Sequence, residues 1–286
     1  MNYCISDKNI KDPLIEQILK ELNPVFEKLG ARFYLIGATA RDIILSLYKI
    51  EAARATRDLD IAVAVSDWDK YNEIEVEILK LSGFKKDKKQ RQRFIYKKVF
   101  PIDIVPFGNI KRRDDKIYWP PDESVAMSVL AFEEVEKNTL ILVLANDLNI
   151  KVATLAGTFI LKMIAWQDRH TRTNKDANDM AFIIQNYLSI NQERAAKTYY
   201  SHIYLDEDFN INIGGTMLLA FDIKEIMKNN KNALTKFRNI IEGELMAEES
   251  SVLINQIIET NPVFEYEGTH LCFKKMLLVL ENKPTQ

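Results

Sequence analysis

Residues 33–65 read FYLIGATARDIILSLYKIEAARATRDLDIAVAV, and this stretch limits what the chain can fold into more than any other. It opens with an apolar run, Phe33-Tyr34-Leu35-Ile36, of a length that suits a buried strand, and Gly37 breaks the run. From Ala40 to Tyr48 the apolar residues Ile43, Ile44 and Leu47 recur at helical spacing, so the order is strand, glycine turn, helix. A second strand follows over 58–65. Side chains alternate along a strand, which puts Asp58 and Asp60 on one face and Leu59, Ile61, Val63 and Val65 on the other. Two carboxylates side by side on a half-buried strand repel each other and are costly to desolvate. A divalent cation is the simplest compensation, so the pair marks a functional site.

The rest of the chain supplies a frame for that stretch. Asp12-Pro13 starts an amphipathic helix that Gly30 ends, and Ser66-Asp67 caps another that stops at Gly83. Residues 84–98 are strongly basic and close on Arg93-Phe94-Ile95-Tyr96, a hairpin edge that lysines keep from aggregating or that lines a path for RNA. Residues 101–106 form a third apolar strand carrying one carboxylate, Asp103, and 111–121 read as a charged loop. Short strands are expected at 139–144 and 148–152. Beyond residue 153 every long segment has helical periodicity, with helices expected from Leu155 and Asp176 onward and then at 191–202, 214–229, 232–247, 250–260 and 266–281. The fold class is therefore α/β: a head with a mixed β-sheet over 1–150, followed by an all-helical domain over 151–286.

Composition excludes several classes of function. A formal charge of −2 does not suit a protein dominated by nucleic-acid electrostatics, although a local basic patch is compatible with it. Three scattered histidines fit neither a zinc site nor a histidine-based triad. The two cysteines, Cys4 and Cys272, match no metal-ligand spacing, and with no signal-peptide pattern they point to a reducing cytoplasm. No apolar run approaches the roughly 18 residues that span a bilayer, so no membrane partner is expected.

If the strands bearing Asp58, Asp60 and Asp103 are neighbours, the three acids converge and can bind two Mg²⁺ or Mn²⁺ ions. Such ions, about 3.5–4 Å apart, clamp the attacking and leaving oxygens of an in-line phosphoryl displacement. Gly37 stands where the backbone must approach a ligand closely, and the helix start there, with Ala38, presents N–H groups to an anion. Thr39 adds a hydroxyl donor, and Arg41 adds a planar cation suited to phosphate oxygens. Together these residues make a site for a nucleoside triphosphate.

This pattern resembles the nucleotidyltransferase superfamily, the polymerase-β-like fold, and within it the AbiEii/AbiGii toxin type. The residues that carry the resemblance are Gly37-Ala38-Thr39-Ala40, then Arg54-Ala55-Thr56-Arg57-Asp58-Leu59-Asp60, then the run 162–169 from Lys162 to Arg169, and Asp176-Ala177-Asn178-Asp179. The superfamily turn usually carries Gly or Ser where this chain has Ala38. The resemblance spans about residues 30–190 and implies transfer of a nucleoside monophosphate from an NTP to an RNA, tRNA or protein hydroxyl. It further implies that Lys162 contacts the triphosphate from the helical domain, while Asp176 or Asp179 orients that lysine or the acceptor. A cognate antitoxin is the protein partner it suggests. The opening 36–45 also resembles tRNA 3′-end enzymes of the CCA-adding or poly(A)-polymerase kind, and a non-catalytic nucleotide-binding regulator is the alternative from a different class.

Overall fold

The computed structural model describes residues 2–4, 10, 12–51, 58–144 and 148–283. The chain divides into two compact units, Met1–Thr154 and Leu155–Gln286. The first contains β1 (Asn2–Cys4), α1 (Pro13–Lys28), β2 (Phe33–Ile36), α2 (Gly37–Leu47), β3 (Leu59–Val65), α3 (Trp68–Lys80), β4 (Phe84–Lys86), β5 (Arg93–Tyr96) and β6 (Phe100–Gly108). It continues through β7 (Lys116–Tyr118), β8 (Ala126–Ser128), α4 (Phe132–Lys137), β9 (Leu140–Leu144) and β10 (Leu148–Val152). Eight strands form one mixed sheet in the order β1-β9-β10-β2-β3-β6-β5-β4, and β7 pairs with β8 apart from it.

The centre of the sheet is β2-β3-β6. β2 runs antiparallel to β3, and β3 runs parallel to β6. One sheet face packs on α1 and α3. Phe33 stacks on Phe26 of α1 at 4.4 Å between ring centroids, and the Tyr71 hydroxyl of α3 donates to the Ile104 carbonyl. On the opposite face Tyr34 meets Phe107 edge-on, and its hydroxyl donates to the Phe132 carbonyl of α4. Both helices start as their sequences dictate. Asp12 accepts from the Leu14 amide with Pro13 in the first turn, and Asp67 accepts from the Lys70 amide.

The second unit is helical: α5 (Leu155–Arg169), α6 (Lys175–Ile190), α7 (Gln192–Thr198), α8 (Tyr200–Ile203), α9 (Ile211–Met227), α10 (Lys231–Met246), α11 (Val252–Thr260) and α12 (Tyr266–Leu280). α9 is apolar nearly all round and forms the core. Gly215 lets it approach α6 closely, because a Cβ there would stand 2.9 Å from the Ile184 carbonyl. Burial pushes the Cys272 thiol up to about 11, which keeps it a protonated core residue. Among the described residues no helix is long and apolar enough to cross a membrane.

The departures from the sequence expectations are all short elements. The loop expected at 111–121 contains β7, the helix expected at 191–202 is split into α7 and α8, and α4 was not foreseen. Each is a piece of seven residues or fewer, too short to show a period of its own.

Candidate active site

The site begins with a change of direction at Gly37. Ile36 is extended, and Gly37 takes φ +73 and is already the first residue of α2. Ala38 does not share the left-handed conformation, so the turn needs its glycine at one position only. A Cβ on Gly37 would fall onto the Asp60 carboxylate, with Asp60 Cγ at 2.9 Å. Gly37 is thus required twice, by its backbone angle and by the acid lying against it. The N-cap residue of α2, Ile36, makes no side-chain hydrogen bond to its first turn.

Strand register then lines up the charged residues. Ile36 pairs with Asp60 across β2 and β3, Asp60 pairs with Asp103 across β3 and β6, and Asp103 pairs with Arg93 across β6 and β5. Directly paired residues project to the same face, so Asp60, Asp103 and Arg93 form one row across three strands. Arg93 grips Asp103 with both arms of its guanidinium, Nε to Oδ1 at 2.7 Å and Nη2 to Oδ2 at 2.7 Å. The same Nη2 lies 3.8 Å from Oδ2 of Asp58, which precedes β3. The hydrogen bonds to Asp103 hold the Arg93 guanidinium above its ordinary value, against the pull of partial burial.

Thr39 and Arg41 each have a partner within the first unit. The Thr39 hydroxyl donates to the Asp58 carbonyl at 2.8 Å, so it pins the strand entrance to the start of α2 and does not present a free donor. Arg41 is 1% exposed and its guanidinium pairs with Asp42. Arg54 and Arg57 lie outside the described residues.

In the helical unit, Lys162 and Arg169 are seven residues apart on α5 and therefore share a face. Asp176 and Asp179 share a face of α6 and are fully buried. Lys162 Nζ reaches Asp179 Oδ2 at 2.7 Å and Asp176 Oδ1 at 3.1 Å, while Arg169 binds both oxygens of Asp176 at 2.7 and 2.8 Å. Burial raises the Asp176 carboxyl, but Arg169 and Lys162 outweigh it and hold the group below the usual carboxylate range. The Lys162 ammonium is shared between two buried acids.

Sequence reasoning placed Arg93 in a solvated basic edge and missed its pairing with Asp103. A three-residue hairpin loop at 97–99 sets Arg93 opposite Asp103, and its sequence, Lys97-Lys98-Val99, holds no turn residue that would have marked it. The donors that could hold a hard cation are the carboxylates of Asp58, Asp60 and Asp103. As the side chains stand, no group of three Asp, Glu, His or Cys among the described residues is arranged to hold a metal ion. All three donors are oxygen, the kind a hard cation takes, and the Arg93 guanidinium contacts two of the three carboxylates.

The family model described as nucleotidyl transferase AbiEii toxin, type IV TA system, matches residues 18–252. The chain belongs to the AbiEii family. It is accordingly a nucleotidyltransferase, and the match covers the glycine turn, the acid row and the Lys162–Asp176–Asp179 cluster. No curated protein matches this AbiEii sequence. Among solved structures it is similar to the Thermotoga maritima CCA-adding enzyme complexed with tRNA(CCA), at 13% identity and TM-score 0.33 over 96% of this chain and 82% of that one. A CCA-adding enzyme complexed with CTP is similar at 17% identity and TM-score 0.34, over 91% of this chain and 53% of that one. The complex of a CCA-adding enzyme with ATP gives 14% identity and TM-score 0.33, over 92% and 67%.

Proposed function

We propose that this AbiEii-family chain transfers a nucleoside monophosphate from an NTP to an acceptor hydroxyl, with Mg²⁺ or Mn²⁺ held by Asp58, Asp60 and Asp103. The observation that carries this reading is the pairing of Asp60 with Asp103 on adjacent parallel strands, with Asp60 lying against the Gly37 turn. A bound divalent cation supplies charge neutralisation at the phosphoryl group and lowers the pKa of a coordinated hydroxyl. The chain's own residues do the positioning. Gly37 leaves room for the Asp60 carboxylate, and the first-turn amides of α2, to which the N-cap residue Ile36 offers no side-chain hydrogen bond, face an anion with the positive end of the helix dipole. Thr39 fixes Asp58 through its main chain. Asp103 is the candidate to accept the acceptor proton, and Lys162 with Asp176 and Asp179 remains the candidate for nucleotide binding in the helical unit.

An RNA hydroxyl, tRNA included, is the acceptor this reading favours over a protein hydroxyl. Lys85, Lys88 and Lys89 are exposed on the β4–β5 edge, where a polyanion would lie. The family description supports toxin action and a cognate antitoxin as its physiological setting. The test is incubation with each α-labelled NTP, Mg²⁺, and either total RNA or total protein. One acceptor class is expected to take up label. Asp60→Asn keeps size but removes a charge, so it is expected to abolish labelling while melting at an unchanged or slightly higher temperature. Near-wild-type labelling by that variant would remove Asp60 from the mechanism.

A further inference from the structure

Arg93 uses both arms of its guanidinium on Asp103, and through the same Nη2 it reaches Asp58. The pair is not an ordinary surface bridge, because the Asp103 side chain is only 12% exposed and that of Arg93 20%. A carboxylate offers about four lone-pair sites, and the fork takes one on each oxygen of Asp103. A divalent ion shared by Asp58 and Asp103 would have to stand beside this guanidinium, and two cations at contact distance repel. The arrangement therefore sets protein-borne cation and metal ion in competition for the same acids.

We propose that Arg93 is a positioning residue that serves as a stand-in cation. It holds Asp103 and Asp58 together while the acid row is without metal, and it gives them up when a divalent ion binds. The proposal rests on the metal-dependent reading above. It explains how three acids can sit at one end of two neighbouring strands without destabilising the head, and it makes metal affinity depend on a residue that is not a ligand.

The experiment is a Mn²⁺ titration of the metal-free full-length chain, with free ion read by electron paramagnetic resonance, for wild type, Asp60→Asn, Arg93→Met and Arg93→Lys. Wild type is expected to bind Mn²⁺, and Asp60→Asn to bind it at least about tenfold more weakly. Arg93→Met should bind at least about tenfold more tightly than wild type, since a charge-assisted fork no longer has to be broken. Arg93→Lys, which keeps the charge but loses the fork, should fall between the two. In parallel melts Arg93→Met should unfold at a lower temperature than wild type without divalent ion, and Mg²⁺ should restore it. A purely structural bridge would leave a deficit that Mg²⁺ does not repair. Arg93→Met binding no tighter than wild type, alongside Asp60-dependent binding, overturns the exchange and leaves the metal reading standing. No Mn²⁺ binding by any variant overturns both. Should Arg93→Met fail to fold, the Arg93 Nε–H resonance of wild type, assigned by its loss in Arg93→Lys, decides the matter. Faster solvent exchange at saturating Mg²⁺ supports the proposal, and unchanged protection overturns it.

Discussion

Gly37 and Asp60 illustrate how tightly single residues are constrained at this site. The turn needs φ +73, and the Asp60 carboxylate occupies the place of a Cβ. Gly37→Ala is therefore expected to lose about 1–3 kcal/mol of stability from backbone strain and to displace Asp60, which removes labelling in the transfer assay. A urea melt beside that assay checks both effects. Asp176 gives a prediction in pH. Its carboxyl is held below its ordinary value, so its ionised form stabilises the fold fully above about pH 4, the range of an unfolded aspartate. That contribution is lost as pH falls through the lower folded value. Arg169→Met removes one of the two cations responsible, so the folded value moves up towards the unfolded one: the variant should be less stable at neutral pH and should lose less stability than wild type as pH falls below about 4. Urea midpoints measured from about pH 3 to about pH 7 test this, and parallel curves for the two proteins would contradict it.

At the scale of the element, the β5–β6 hairpin carries the most consequence. Its tip runs Tyr96-Lys97-Lys98-Val99, with the Val99 amide donating to the Tyr96 carbonyl and both lysines at positive φ, +47 and +65. A turn of this hand favours Asn-Gly, so Lys-Lys is strained there. The strain also concealed the register, because no turn residue marks the loop and the opposition of Arg93 to Asp103 went unread. Lys97 is tied down, its Nζ donating to Gln17 at 2.9 Å, but Lys98 is exposed. Lys98→Gly is expected to raise stability by about 0.5–1 kcal/mol, read as a higher urea midpoint with unchanged slope. A lower midpoint would show that Lys98 makes a contact worth more than the strain.

At the scale of the molecule, each unit has its own core and its own buried ion pairs. In the helical unit Lys275 of α12 binds both oxygens of Asp206 at 2.8 Å and Asp208 at 3.0 Å, and the Asp206 side chain is fully buried. Asp206 reads in the sequence as part of an acidic loop, and nothing local points to a lysine 69 residues away. Breaking one side of a buried pair strands the other charge, so Lys275→Ala is expected to cost the helical unit about 3–5 kcal/mol. Hydrogen exchange at α9 and α12 amides should report that loss while β3 and β6 keep wild-type protection. Equal loss in both units would show that they unfold together.

Local chemistry was enough to determine the kinds of element and their order: the strand, glycine turn and helix at 33–47, the capped starts of α1 and α3, the D-x-D strand, and the helical texture after residue 153. These depend on periods of 2 and 3.6 and on capping residues, all of which act within a few positions of one another. Family motifs were legible for the same reason, since each is a short run. What only the tertiary structure decided is who faces whom. The neighbouring of β3 and β6 set Asp60 beside Asp103, the hairpin register brought Arg93 onto Asp103, and packing buried Arg41 and turned the Thr39 hydroxyl to Asp58. Side-chain identity fixes what a residue can bind, but its partner is chosen by long-range packing, and a one-residue shift in strand register would turn the acid row to the opposite face of the sheet.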